Sequence, residues 1–476
     1  MLRSGSFLLA LAASLGCASP QAATTGSGSG IGPVGENALE ARLDGLLKPL
    51  VGKTTPGIVL VVQQRGKTLY RKAHGSADLA GKKPLTPETP MRIASLTKAF
   101  TSVVIQGLAG EGRLGLDDPV AKHLPTLQAA GSVTLRQMLT MTSGLADYTS
   151  DLGMVARMKS GKPGGPADVL AWVQKRKLDF APGAKFAYSN TNYVLLGLVA
   201  EKAGGARLAD LYAKRIFSPL GMRSSHFPTA GTSTPGEAQG ARRGKDKLVP
   251  AIPLDMGWPG AAGSIVASAD DLARWLDGIA SARVLSEQQR ADAFTPVKLN
   301  DGTLSFYGFG WGLGTRGRGP LIAHGGGIDG FSSHVAYLPA TDVRVVILAN
   351  GEDANVSALQ GSILDALEGK APIAGIADAD PKLTARLRTV VERMLKGERD
   401  AAEFDPGFVQ AVPDATYRKT GTELAGLGAL EEFALIRDET KDGLRTREYR
   451  MRLGDASLTA IFNLSREGKI AGFRLR

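Results

Sequence analysis

The sequence predicts an α/β (α+β) protein: an antiparallel sheet covered by helices, with an inserted helical lobe, followed by a small C-terminal α+β domain. Three observations predict it. Short β-branched runs stand at both ends of the region 57–350, whereas the stretch from Leu116 to about Gly260 has helical patterning cut by Pro and Gly and no strong alternating strand. Around Gly369–Asp380 periodicity stops, and one helical segment then precedes four strand-like runs. At 476 residues the chain also exceeds what one ordinary core covers, and its 43% hydrophobic and 22% charged fractions are those of a folded globular protein.

The first element is not structural. Arg3 and the apolar run Phe7–Leu15, shorter than the ~20 residues needed to span a bilayer, mark residues 1–17 as a secretory signal. Ser14–Cys17 resembles a bacterial lipobox, in which Cys17, the only cysteine, becomes the lipidated N-terminus; ordinary cleavage after Ala18 or Ala23 is the alternative. Thr24–Gly30 has linker composition, so residues 18–35 read as a flexible tether. The expectation is an exported protein, periplasmic or held to a membrane by a lipid anchor.

Residues 36–370 read as the larger domain. Leu39, Leu43, Leu46, Leu47 and Leu50 define one face of a helix that stops at Pro49. Gly57–Val62, the turn Arg65–Lys67 and Thr68–Tyr70 make an antiparallel hairpin. Leu96, Phe100, Val103, Val104 and Leu108 repeat at helical spacing, so Ser95–Leu108 is a buried central helix. Strands return at Leu321–His324, Ser332–Tyr337 and Val343–Leu348. Residues 378–476 form the accessory domain: a helix near Leu383–Leu395, then runs at Glu432–Ile436, Glu448–Leu453, Leu458–Leu464 and Ile470–Leu475. That order looks similar to cystatin-like or NTF2-like domains.

The net charge of +11 is scattered and comes without any nucleic-acid-binding motif, so no nucleic-acid partner is expected. A lone cysteine forms no disulfide within the chain. The five histidines, His74, His123, His226, His324 and His334, lack metal-ligand spacing, and no serine has the Gly-x-Ser-x-Gly frame, so neither a metal or other cofactor nor an α/β-hydrolase site is expected.

Chemistry concentrates in three segments. A serine hydroxyl needs a base within reach and donors for the developing oxyanion. Ser95 and Lys98 are one helical turn apart, and Ser95 opens the apolar helix, where free N–H groups favour an alkoxide. Tyr188 and Asn190 follow Pro182–Gly183; a phenol against an ammonium would have its pKa lowered and could shuttle the serine proton, and Asn190 could give its amide N–H to a substrate carbonyl and its oxygen to Lys98. His324–Gly327 ends a strand, with glycines that let a ligand approach the backbone. Gly327 N–H could join Ser95 N–H in an oxyanion hole, with His324, Gly325 and Gly326 binding substrate.

Together, Ser-x-x-Lys at Ser95–Lys98, Tyr-x-Asn at Tyr188–Asn190 and His-Gly-Gly at His324–Gly326 resemble the signature set of the serine β-lactamase and penicillin-binding-protein family. The similarity is nearest to the group of class C β-lactamases, D-alanyl-D-alanine carboxypeptidases, D-aminopeptidases and esterases. Met91–Ala94, Gly112–Pro119, Thr134–Leu145 and Gly263–Leu276 share its flavour. The resemblance implies a β-lactamase/transpeptidase-like fold and acyl transfer through Ser95, with Lys98 and Tyr188 moving the proton. The substrate would be a small molecule or peptide, such as a D-alanyl peptide of peptidoglycan or a small ester. His324 stands where class C β-lactamases carry lysine, which implies weak or no β-lactam turnover. The alternatives are a genuine β-lactamase, or a non-catalytic protein that keeps the fold to bind peptidoglycan or a partner.

Overall fold

The computed structural model describes residues 36–52, 56–228, 236–243, 247–352, 354–369, 376–441, 444–453 and 456–475. The expected signal 1–17 with Cys17, and the tether 18–35, lie outside them. The described residues fall into two compact units that divide between Gly361 and Ser362.

The first unit opens with α1 (Glu36–Leu47), continued by a 3-10 turn over Lys48–Leu50 in which Pro49 sits. Strands β1 (Ile58–Gln64) and β2 (Lys67–His74) form the hairpin, with Arg65 and Gly66 both at positive φ in its two-residue turn. Helix α2 (Thr97–Gly110) follows the turn that holds Ser95, and α3 (Asn190–Gly204) is the central helix of the inserted lobe. Next come α4 (Ala269–Ala280), β3 (Gly312–Arg316), β4 (Gly319–Ile328), β5 (Phe331–Leu338) and β6 (Val343–Ala349). The sheet order is β2-β1-β6-β5-β4-β3, antiparallel throughout, so β1 pairs with β6 and both ends of the region build one sheet. Strand β3 goes unread in the sequence because Gly-Leu-Gly-Thr-Arg, with two glycines and a single β-branched residue, has little strand propensity.

Val59–Val62 are at most 2% exposed, so both faces of β1 are covered. Helix α4 packs on β1 and β6, and its Trp275 stacks between Phe100 and Trp311 at centroid separations of 4.0 and 5.1 Å. Helix α3 packs on α2 and on the 3-10 turn Gly260–Ala262; a Cβ on Gly197 would stand 2.6 Å from the Ala261 Cβ, so only glycine permits that approach. This close fit carries Asn190, the first residue of α3, to Lys98.

The second unit is an α+β layer with its own core, from Leu387 to Ile470. It holds α5 (Pro381–Leu395), α6 (Pro406–Ala411), α7 (Asp414–Ala425), and β7 (Leu430–Lys441), β8 (Leu444–Leu453), β9 (Ala456–Leu464) and β10 (Ile470–Leu475) in sequential antiparallel order. Three helices thus precede the sheet where the sequence suggests one. Proline and glycine at the head of α6 and the weakly apolar face of α7 hide the other two. A cavity of about 640 Å³ in this unit is lined by Arg386 and Arg445, but Glu403, Asp438 and Asp380 already pair with them.

Candidate active site

Ser95 sits in a 3-10 turn, Ala94–Leu96, that leads into α2. The turn is held from both sides: Ile93 N–H donates to the Ile265 carbonyl at 3.0 Å, and Ile265 N–H to Thr97 Oγ1 at 3.1 Å. Ala94 is left-handed at φ +49°, a conformation costing a non-glycine residue about 1 kcal/mol, and it turns the half-buried Ser95 out of the core.

Lys98 has no exposed surface, and its Nζ has three oxygen neighbours: Ser95 Oγ at 3.0 Å, Asn190 Oδ1 at 2.8 Å and the Ala262 carbonyl at 2.8 Å. The two carbonyl-type oxygens can only accept. In the neutral amine they take both N–H groups, which leaves the lone pair for the Ser95 hydroxyl. Burial pushes the Lys98 pKa down from 10.5 to about 7, against the opposing pull of the Asp147 carboxylate. An amine that loses its proton near neutrality, with its lone pair toward a hydroxyl, can serve as a general base.

Tyr188 and Asn190 are set by the segment Met141–Thr149. Met141, itself left-handed at φ +60°, accepts Ala187 N–H on its carbonyl at 2.9 Å and Ser189 N–H on its sulfur at 3.4 Å. Ser143 Oγ donates to Asn192 Oδ1 at 2.6 Å, and Thr191 Oγ1 to the Ala146 carbonyl at 2.7 Å. The Tyr188 hydroxyl lies close enough to Ser95 for the serine to moderate its proton affinity, and its ring centroid lies 4.9 Å from Lys98 Nζ.

Two expectations change here. Desolvation of its hydroxyl raises the Tyr188 pKa above the ordinary phenol value, although 38% of the residue surface is exposed. The sequence suggests the opposite direction, because it assumes a fixed ammonium beside the phenol, and burial has already weakened that charge. Asn190 also differs: Nδ2 lies 3.3 and 3.4 Å from the Asp147 carboxylate oxygens and 3.2 Å from Thr149 Oγ1, so its N–H groups face away from substrate. The amide orientation is fixed by chemistry, since a carboxylate only accepts and Lys98 needs an acceptor.

Strand β4 runs past the turn that holds Ser95. A Cβ on Gly326 would meet the Ile93 carbonyl oxygen at 2.5 Å and the Ala94 Cβ at 3.1 Å, and Ser333 Oγ donates to the same Ile93 carbonyl at 2.7 Å. Gly327 has open space where a side chain would stand, whereas Gly325 backs onto His334 and Ser357. His324 is only 8% exposed, with Nδ1 2.6 Å from the Gly325 carbonyl and Nε2 2.9 Å from the Tyr307 hydroxyl. The carbonyl demands N–H at Nδ1, so Nε2 accepts from Tyr307 and neither nitrogen is free for substrate. Burial, together with the Lys98 charge, lowers the His324 pKa to about 3, leaving a neutral ring. The expectation that His324 faces the substrate is corrected accordingly: its ring stands behind the site.

Sequence reasoning misses Asp147, Tyr307 and the Ala262 carbonyl. Asp147 lies two residues beyond the Thr134–Leu145 motif and Ala262 one residue before Gly263–Leu276, so slightly wider motifs would have included both. Tyr307–Trp311 alternates aromatics with glycines, and a Cβ on Gly310 would lie 2.9 Å from the Lys98 carbonyl carbon, which fixes this loop against α2.

The profile of the beta-lactamase family matches residues 43–370, more than half of the chain. Among curated proteins, a D-aminopeptidase of Cereibacter sphaeroides is 29% identical over 420 residues, covering 86% of this chain and 78% of the relative. Among solved structures, a D-stereospecific amidohydrolase from Streptomyces sp. superposes with a TM-score of 0.59 at 26% identity, over 69% of this chain and 98% of that one. The D-amino acid amidase from Ochrobactrum anthropi SV3 complexed with L-phenylalanine amide gives 0.62 at 26% identity, over 70% and 99%. The names of these relatives are those of hydrolases, the two solved structures share the fold described above, and the chain belongs to the beta-lactamase family.

Proposed function

We propose that this hydrolase forms an acyl-enzyme on Ser95 and acts on amides or esters of D-amino acids, including D-alanyl peptides of the kind found in peptidoglycan, with little β-lactam turnover. The observation that carries the reading is the buried Lys98 amine, 3.0 Å from Ser95 Oγ and titrating near 7. Lys98 takes the Ser95 proton as Oγ attacks the carbonyl carbon, and backbone N–H groups of Ser95 and Gly327 hold the oxyanion. Tyr188 keeps its proton at neutral pH and so acts as the acid, protonating the leaving nitrogen or oxygen while the proton on Lys98 replaces it. Water then attacks the acyl carbonyl by the reverse path.

Three supports bear on substrate. The D-aminopeptidase and the D-stereospecific amidohydrolase are relatives by sequence and fold, respectively. The rim of the site carries exposed Phe186, whose ring lies 5.6 Å from that of Tyr307, together with exposed Tyr188, which suits an apolar side chain. Neutral His324 offers no fixed cation to an anionic antibiotic. The test is a chromogenic panel: D- and L-alanyl and phenylalanyl p-nitroanilides, a p-nitrophenyl ester and a cephalosporin. The reading expects D over L and slow cephalosporin turnover; L over D, or rapid cephalosporin hydrolysis, contradicts it.

Export and lipid anchoring at Cys17 are proposed from the sequence of residues 1–30 alone. Metabolic labelling with a fatty acid, lost in Cys17→Ala, tests them.

A further inference from the structure

Asp147 belongs to no motif that identifies the site, yet it ends the chain of contacts that begins at Ser95. Ser95 Oγ meets Lys98 Nζ, Lys98 meets Asn190 Oδ1, and Asn190 Nδ2 faces both carboxylate oxygens of Asp147. Asp147 is held in turn by Thr149 Oγ1, which donates to its Oδ2 at 2.6 Å, and by Asn190 N–H, which donates to Oδ1 at 3.0 Å. Every atom in this chain has one chemically allowed role. A carboxylate at 147 forces the Asn190 amide to present oxygen, rather than N–H, to Lys98. A neutral amide in its place would leave both orientations open.

We propose that Asp147 is a positioning residue which, through Asn190, orients the acceptor of Lys98 and sets how readily Lys98 holds its proton. The proposal rests on the reading of Ser95 and Lys98 as nucleophile and base. The groups facing Lys98 are Ser95 from its own turn, Tyr188 and Tyr193 from the Tyr188 loop and α3, His324 from β4, and the Ala262 carbonyl. Tyr148 and Tyr307 lie behind them. Burial keeps the four tyrosines protonated and His324 unprotonated around neutrality. Among the described residues, Asp147 is therefore the negative charge acting on Lys98, and its attraction opposes the burial that drives the proton off.

The sign follows directly. Removing the carboxylate favours the neutral amine, so the acidic limb of Ser95 acylation moves to lower pH. The readout is the second-order rate of labelling by a fluorescent fluorophosphonate against pH, which needs no natural substrate. For Asp147→Asn the limb is expected to fall by about one pH unit, the low end of the shift that an opposite charge produces, because the Asn190 side chain stands between the two groups. Thr149→Val removes the hydroxyl that bonds both Asp147 and the Asn190 amide but takes away no charge, and moves the limb much less than Asp147→Asn. Thr149→Asp adds negative charge beside Asn190 and moves it upward, and decides the matter if Asp147→Asn does not fold. A limb unmoved in Asp147→Asn, or unmoved in Thr149→Asp, or shifted equally by Thr149→Val, overturns the proposal while labelling of Ser95 persists. Absence of labelling in the unmodified protein would instead overturn the functional reading beneath it.

Discussion

Gly326 and Ile93 touch so closely that a methyl group on the glycine would stand 2.5 Å from the isoleucine carbonyl oxygen. This contact seats β4 on the turn that presents Ser95. Gly326→Ala must push strand and turn apart. The expected result is a loss of about 10²-fold in kcat/KM, the scale of an ångström-level misplacement, with the fold retained by circular dichroism.

The Lys98 amine makes two pH predictions. Acylation needs its neutral form, so the labelling rate rises with pH through about 7 and then levels; Lys98→Met lowers it by about 10²- to 10⁴-fold and removes that limb. Stability runs in the same direction. The folded pKa, about 7, lies below the ordinary value of 10.5, so between these values the unfolded chain binds more protons and folding gains as pH rises. The melting temperature of the unmodified protein should therefore gain on that of Lys98→Met from about pH 7 to about pH 10, as paired thermal melts would record.

In the proposed mechanism Tyr188 donates a proton and need not lose one beforehand. Tyr188→Phe should lower kcat by about 10²-fold or more. The loss should be smaller for an ester with a good leaving group than for an anilide, because the phenolate product needs no acid. Equal losses on the two substrates would assign Tyr188 to another step.

His324 is neutral at working pH, and Tyr307 and the Gly325 carbonyl occupy its nitrogens. His324→Lys places a fixed cation there. It should raise the cephalosporin-to-ester ratio of kcat/KM by about tenfold, as a charge-assisted contact to a carboxylate would.

How much of this was legible in the sequence follows from the range of each interaction. Ser95 and Lys98 are neighbours through helical geometry, which spacing alone reveals, and the glycines of β4 announce close backbone approach. The sheet could be read from its β-branched strands; β3 and two helices of the second unit could not, since their residues lack a period. Asp147 and Asn190 lie 43 positions apart, and the direction each group titrates depends on burial that no local pattern encodes. Hence the motif points to Tyr188, while the direction in which its hydroxyl titrates follows from burial and runs opposite to the sequence expectation.

The most direct test is intact-mass and peptide mapping after reaction with a fluorophosphonate. One adduct on Ser95, absent in Ser95→Ala and strongly slowed in Lys98→Met, is the predicted result. An adduct on another residue, or unchanged labelling of Ser95→Ala, would contradict it.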